Sequence, residues 1–261
     1  MSKQSRHQQH WVAFSTLLKR EIRRFIRIWP QTILPPAITM TLYFIIFGNL
    51  IGSRIGEMGG FSYMEYIVPG IIMMAVINNA YANVASSFFS AKFQNHIEEL
   101  IVAPIPNYLI LAGYVAGGTA RGLCVGVIVT LVSLFFTHLP IEHIFITLSM
   151  VVLSAILFAI GGFINAIYAR SFDEISIIPT FILTPLTYLG GVFYSIDLLP
   201  DFWQNVSLLN PILYMVNSFR YGMLGISDIP IEAAFAIILL VIVILASFAM
   251  YLLNKGTGIR S

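Results

Sequence analysis

Two carboxylates, Glu98 and Glu99, stand together between two long hydrophobic runs, in the stretch Lys92–Gly113, KFQNHIEELIVAPIPNYLILAG. On a short helix they could accept ion pairs or hydrogen bonds from a basic or amide-lined groove. Leu100, Ile101 and Val102 give that helix an apolar side. Pro104 and Pro106 end it, because proline lacks the amide donor and clashes with the preceding turn. A short, charged, proline-stopped helix between two spans suits a docking surface. The plainer alternative is solvated charge at a membrane surface, worth little to stability.

Other chemistry is hard to assemble from this chain. Its four lysines, Lys3, Lys19, Lys92 and Lys255, lie outside any GxxxxGK[ST] phosphate loop, so ATP hydrolysis by that route is not expected. His138, Glu142 and His143 fit neither common zinc-protease spacing, and Pro140 interrupts them. A hydrated loop is the expectation there, with no metal site. Cys124 is the single cysteine, so no internal disulfide or thiolate cluster can form. Glu65, Glu142 and Glu232 sit at span edges, and no carboxylate falls mid-span. Proton- and sodium-driven carriers usually place one there, so that class is weakened.

The elements that position these residues follow from hydropathy. Of 261 residues, 58% are hydrophobic and only 10% charged, against about a quarter charged in average soluble domains. A net charge of +2 does not suggest nucleic acid as a partner. A span needs about 20 apolar residues to cross a hydrocarbon core of roughly 30 Å. Six such runs are expected: Thr32–Gly52, Tyr66–Phe89, Gly113–Phe136, Ile144–Tyr168, Ile175–Phe193 and Ala233–Leu253. The expected fold is an all-α polytopic membrane protein. Residues 1–30 would form a tail with an interfacial helix, and 31–261 a single transmembrane domain.

That interfacial helix is read at Trp11–Trp29. Trp11, Phe14, Leu18, Ile22, Phe25 and Trp29 recur at steps of three and four on one stripe. Lys19, Arg20, Arg23, Arg24 and Arg27 fall opposite. Aromatics on one face and arginines on the other describe a helix lying in the membrane interface, in contact with lipid. No short apolar stretch with a small-residue cleavage site follows the basic N-terminus, so no cleaved signal peptide is expected.

Lys and Arg also set the expected orientation. With the N-terminus inside, the inner side holds Lys3, Arg6, Lys19, Arg20, Arg23, Arg24, Arg27, Lys92, Arg170, Lys255 and Arg260. The outer side keeps Arg54 and Arg220. Both termini and the stretch 92–107 are then cytoplasmic.

Within the spans, Asn78, Asn79, Asn83 and Asn165 are expected to bond neighbouring helices. Gly113 and Gly117, then Gly118, Gly122 and Gly126, place small residues four apart, which lets helix backbones approach closely. Arg121 lies among them and is expected to snorkel from the inner third of its span. Asn78, Asn79 and Arg121 are the candidate intramembrane polar site, with a substrate path as the minority reading. Gly190–Gly225 is too polar for a plain span and too apolar for an ordinary loop. Pro200 and Pro211 break it into short helices, expected to dip into the outer leaflet between the fifth and sixth spans.

Taken in order, these features resemble the membrane subunit of an ABC exporter in the type-2 permease family. The resemblance covers nearly the whole length after the tail. It rests on HIEELIVAPIPNYLILAG and on LGGVFYSIDLLPDFWQNVSLLNPILYMVNSFR. The second region matches the family pattern at Gly191-Val192-Phe193, Leu199-Pro200, Asn210-Pro211 and Arg220. His96-Ile97-Glu98-Glu99 departs from it by lacking the Gly-Thr often found there. The resemblance implies a homodimer in the bacterial inner membrane that binds two copies of a separate ABC ATPase. ATP and Mg would be held by that ATPase, and this chain would be neither an enzyme nor a cofactor binder. Glu98, Glu99, Leu100 and Pro104 would belong to its coupling helix. Family substrates include drugs, lipids and lipid-linked polysaccharides. A secondary carrier or channel, or a non-transporting assembly factor, remain the alternative classes.

Overall fold

A computed structural model describes residues 6–97 and 105–256. The described chain is helical apart from one small hairpin. Helix α1 (Arg6–Arg27) leads into α2 (Trp29–Ile55), which starts with Pro30 in its first turn and passes into π geometry over Phe44–Ile51. Strands β1 (Glu57–Met58) and β2 (Phe61–Ser62) pair antiparallel across Gly59-Gly60. Both glycines have positive φ, +61° and +82°, as a two-residue hairpin turn of right-handed twist requires. Ser62 then caps α3 (Tyr63–Phe93): its hydroxyl accepts from the Glu65 amide, and the Glu65 carboxylate accepts from the Ser62 amide.

Helix α3 is the axis of the molecule. It is buried along almost its whole length and packs chiefly on α4 (Asn107–Ser133) and α5 (Ile144–Tyr168). A shorter helix, α6 (residues 172–188), follows. Then come α7 (Asp201–Leu208), α8 (Pro211–Leu224) and α9 (Ile231–Lys255). Five helices, α2 to α5 and α9, are long and apolar enough to cross a membrane. The all-α polytopic architecture expected from sequence is therefore present.

The run expected as a fifth span differs from its expected bounds. It begins at Phe172 and is helical only to Tyr188, as seven α, five π and five α residues. Pro179 and Pro185 each remove an amide donor within it. Gly190-Gly191-Val192-Phe193 reads as apolar, which extended the expected run, but Gly191 has φ +68° and turns the chain away. α6 is consequently shorter than the five helices long and apolar enough to cross a membrane, and is not one of them.

The glycine rows on α4 face two different helices. A Cβ on Gly113 would lie 2.8 Å from Leu17 Cβ, and one on Gly117 would collide with Glu21, so this row receives α1. A Cβ on Gly122 would meet Ala80 Cβ at 2.9 Å, and one on Gly126 would meet Val76 Cγ2 at 2.7 Å, so the second row receives α3. Helix α4 is thus clamped between α1 and α3 by backbone-close contact on both sides.

Candidate functional site

Glu98, Glu99, Leu100 and Pro104 lie outside the described residues; their flanks are described. Lys92 sits in the last turn of α3. Its ammonium donates to the carbonyls of Ile167 and Ala169 at 2.6 and 2.9 Å. These are orphan acceptors at the C-terminal end of α5, where a cation is also favoured by the helix dipole. α3 ends at Phe93, and Asn95 just beyond it takes φ +59°. Ile97 is 4% exposed and belongs to the apolar cluster of Phe88, Phe89, Tyr114 and Phe163. Ile105, where the described chain resumes, packs against the same cluster. The residues on either side of 98–104 are therefore seated on α3, α4 and α5.

The basic helix behaves differently from its helical-wheel reading. Trp11 and Trp29 stay exposed, and so do Arg23 and Arg27. Arg24 turns inward instead, and Arg20, though its side chain stays 44% exposed, reaches a protein partner. Leu17, Glu21 and Phe25, spaced by four, form the stripe that meets protein. Arg20 donates from Nη2 to the Tyr114 hydroxyl at 2.7 Å and to Glu21 Oε1 at 3.3 Å. Arg24 donates from Nη2 to both oxygens of Asn83, Oδ1 and the main-chain carbonyl, at 2.9 Å each. Glu21 Oε2 lies 3.5 Å from Arg24 Nε. Burial works against the Arg20 charge, but Tyr114 and Glu21 outweigh it and its pKa is raised. Burial dominates at Arg24, where Glu21 does not fully compensate, and its pKa is lowered. Glu21 carried a readable signal: it is the lone acid of α1, four residues from Leu17 and four from Phe25.

Deeper along α4, Arg121 donates to Asn79 Oδ1 at 3.1 Å, and Asn79 donates to the Ala75 carbonyl at 3.0 Å. Arg121 thus holds a neighbouring helix rather than reaching out alone as expected. Asn78, beside Asn79 on α3, is half-buried. Asn83 accepts from α1, and Asn165 donates to Ile175 at the start of α6.

The segment 190–225 is organised by Arg220, which is 1% exposed. Its Nη2 donates to the Gly191 carbonyl at 2.6 Å and its Nε to the Tyr66 carbonyl at 3.2 Å. The guanidinium carbon lies 4.0 Å from the Tyr66 ring centroid, close enough for cation–π attraction. Asn217 Oδ1 accepts from Arg220 and from the Asp228 amide. Asn210 caps α8 by accepting from the Ile212 amide, and its own amide donates to Leu186 at 2.6 Å. Pro211 fills the first helical position, and the Pro200 carbonyl starts α7 by accepting from Trp203. Arg220 thus ties α8 and the Gly191 turn to α3, and Asn210 ties the start of α8 to α6. His143 stacks on Tyr221, and its amide donates to the Gly222 carbonyl, so the 138–143 loop is fastened to α8.

Five helices long and apolar enough to cross a membrane, with a basic N-terminal helix packed on α4, describe a multi-pass membrane protein. The ABC-2 type transporter family profile matches residues 12–224, and the chain belongs to that family. It is similar to the inner membrane transport permease YadH of Escherichia coli K12, 59% identical over 253 residues and covering 97% of this chain and 98% of that protein. The Shigella flexneri protein of the same name matches to the same degree. Nodulation protein J of Rhizobium leguminosarum bv. viciae is 21% identical over 212 residues, 80% of this chain and 82% of that one. The chain is a transport permease of the inner membrane and not an enzyme; the family implies that a separate ABC ATPase hydrolyses ATP.

Proposed function

We propose that this chain is the membrane half of an ATP-driven exporter. Two copies pair, the commonest closed arrangement for identical subunits, and two copies of an ABC ATPase bind from the cytoplasm, where both termini lie. ATP and Mg²⁺ are held by the ATPase. The transported molecule is of the drug, lipid or glycolipid and polysaccharide class, and membrane lipid surrounds the helices.

The observation that carries this reading is the anchoring of the residues that flank positions 98–104. Ile97 and Ile105 sit in one apolar cluster, and Lys92 ties the end of α3 to the end of α5. A push on the segment between them would be passed to α3, α4 and α5 together, which suits a coupling element. Purifying the tagged chain from its own membranes tests this. An ABC ATPase in equal copy number, with ATP hydrolysis that depends on the permease, is expected. Recovery of the intact permease with no such ATPase would overturn it.

A further inference from the structure

A cleft of ≈ 700 Å³ opens between α1 and the end of α3, lined by Lys19, Arg20, Arg23, Arg24 and Arg27 on one side and by Ser87, Ser90, Gln94 and His96 on the other. Among the described residues of its lining Glu21 is the one acid. Five permanent cations there face that carboxylate, which is already engaged by Arg20 and Arg24. Beneath the cleft and outside its lining, Asn83 is wholly buried with its Nδ2 lacking a hydrogen-bond partner, while Arg24 Nε is paired with Glu21 Oε2 at 3.5 Å. Guanidinium forks and hydroxyls match the oxygens of a phosphate. The flanking residues Ile26 and Trp29 are 54% and 53% exposed, an apolar and aromatic border of the kind found at headgroup level.

We propose that this cleft binds the phosphate of an anionic phospholipid headgroup, which seats α1 on the bundle. The charge and donors select a phosphate anion, and the apolar border selects a lipid over a free ion. The site stands whether or not an ATPase docks at the neighbouring segment.

The test uses the full chain in nanodiscs of phosphatidylcholine with phosphatidylglycerol, followed by native mass spectrometry of the lipid that stays bound. The wild type should retain phosphatidylglycerol in preference to phosphatidylcholine. Lys19, Arg23 and Arg27 are exposed, so the K19Q/R23Q/R27Q variant should fold normally. It should retain the anionic lipid at least about thirty-fold less well, since each basic group near a membrane contributes appreciably to anionic lipid binding. The R170Q/K255Q variant, which removes two cations outside the cleft, should behave as wild type. Equal loss in both variants would reduce the effect to diffuse surface charge and overturn the site. Retention unchanged in the triple variant, or full displacement by inorganic phosphate, would overturn it as well. Loss of ATPase copurification with lipid retention intact would reassign the cleft to a protein partner and overturn the lipid proposal.

Discussion

The ammonium of Lys92 and the carbonyl of Ile167 lie 2.6 Å apart, joining the last turn of α3 to the last turn of α5 across 75 residues of sequence. The bond stands at the root of the 98–104 segment, so it is placed to pass motion from that segment into two helices at once. Lys92→Met keeps the aliphatic stem and removes the donors. It is expected to lower stability by about 1 kcal/mol, the usual worth of such bonds. The larger expected effect is on coupling: the ATPase stays bound, but its stimulation by the permease falls. A variant with wild-type stimulation would show that Lys92 only caps α5.

Arg220 is expected to be the most sensitive residue of the segment 190–225. Its removal strands the carbonyls of Gly191 and Tyr66 inside the protein. Arg220→Met should cost roughly 2–5 kcal/mol, as losing charged hydrogen bonds at a buried site does. Arg220→Lys should recover little of this, because an ammonium cannot span both carbonyls in the planar geometry of the fork. Thermal unfolding in mild detergent reads both, and a lysine variant as stable as wild type would argue against the geometry.

The α1–α4 contact can be trapped covalently. A Cβ on Gly113 lies 2.8 Å from Leu17 Cβ, slightly inside the usual Cβ separation of a disulfide, about 3.5–4.5 Å. The L17C/G113C pair, in a C124S background, should oxidise to a disulfide after a small adjustment. On the other row, Gly122→Val would press on Ala80 and on the Val76 carbonyl. Overpacking of this kind costs typically about 1–3 kcal/mol. No crosslink at 17 and 113, together with a neutral Gly122→Val, would mean that α4 is not clamped.

The two glycine rows were legible in the sequence as a spacing, but not as an assignment. A period of four says that a helix approaches closely; it does not say which one. The spans α3, α5 and α9 were legible because each is a continuous apolar run. α6 was misjudged at both ends because hydropathy does not record where glycine turns a chain. Arg24 was placed opposite the aromatic stripe because a helical wheel treats a guanidinium as outward-facing. Its inward turn depends on Asn83, 59 residues away in the chain, and the bond of the still exposed Arg20 depends on Tyr114, 94 residues away. Arg220 was readable as a pattern residue, whereas its partners, two main-chain carbonyls, leave no trace in residue types.

Orientation rests on the bias of Lys and Arg. Impermeant thiol reagents added outside are expected to label cysteines introduced at Ser53–Tyr63 and at Thr137–His143, and not at Gln94 or Ser171. Labelling of Gln94→Cys from outside would invert the topology and move the 98–104 segment away from any cytoplasmic ATPase.

The central claim is that a separate ABC ATPase acts on this chain at the segment between α3 and α4. A photo-crosslinking amino acid placed at Glu99, in the full chain in its native membrane, tests that claim most directly. The account predicts an adduct with an ABC ATPase, and loss of that adduct when Glu98 is also changed to Lys. A correctly inserted permease whose position 99 crosslinks to lipid or to nothing, while an ATPase is still recovered with it, would contradict the docking role of the segment.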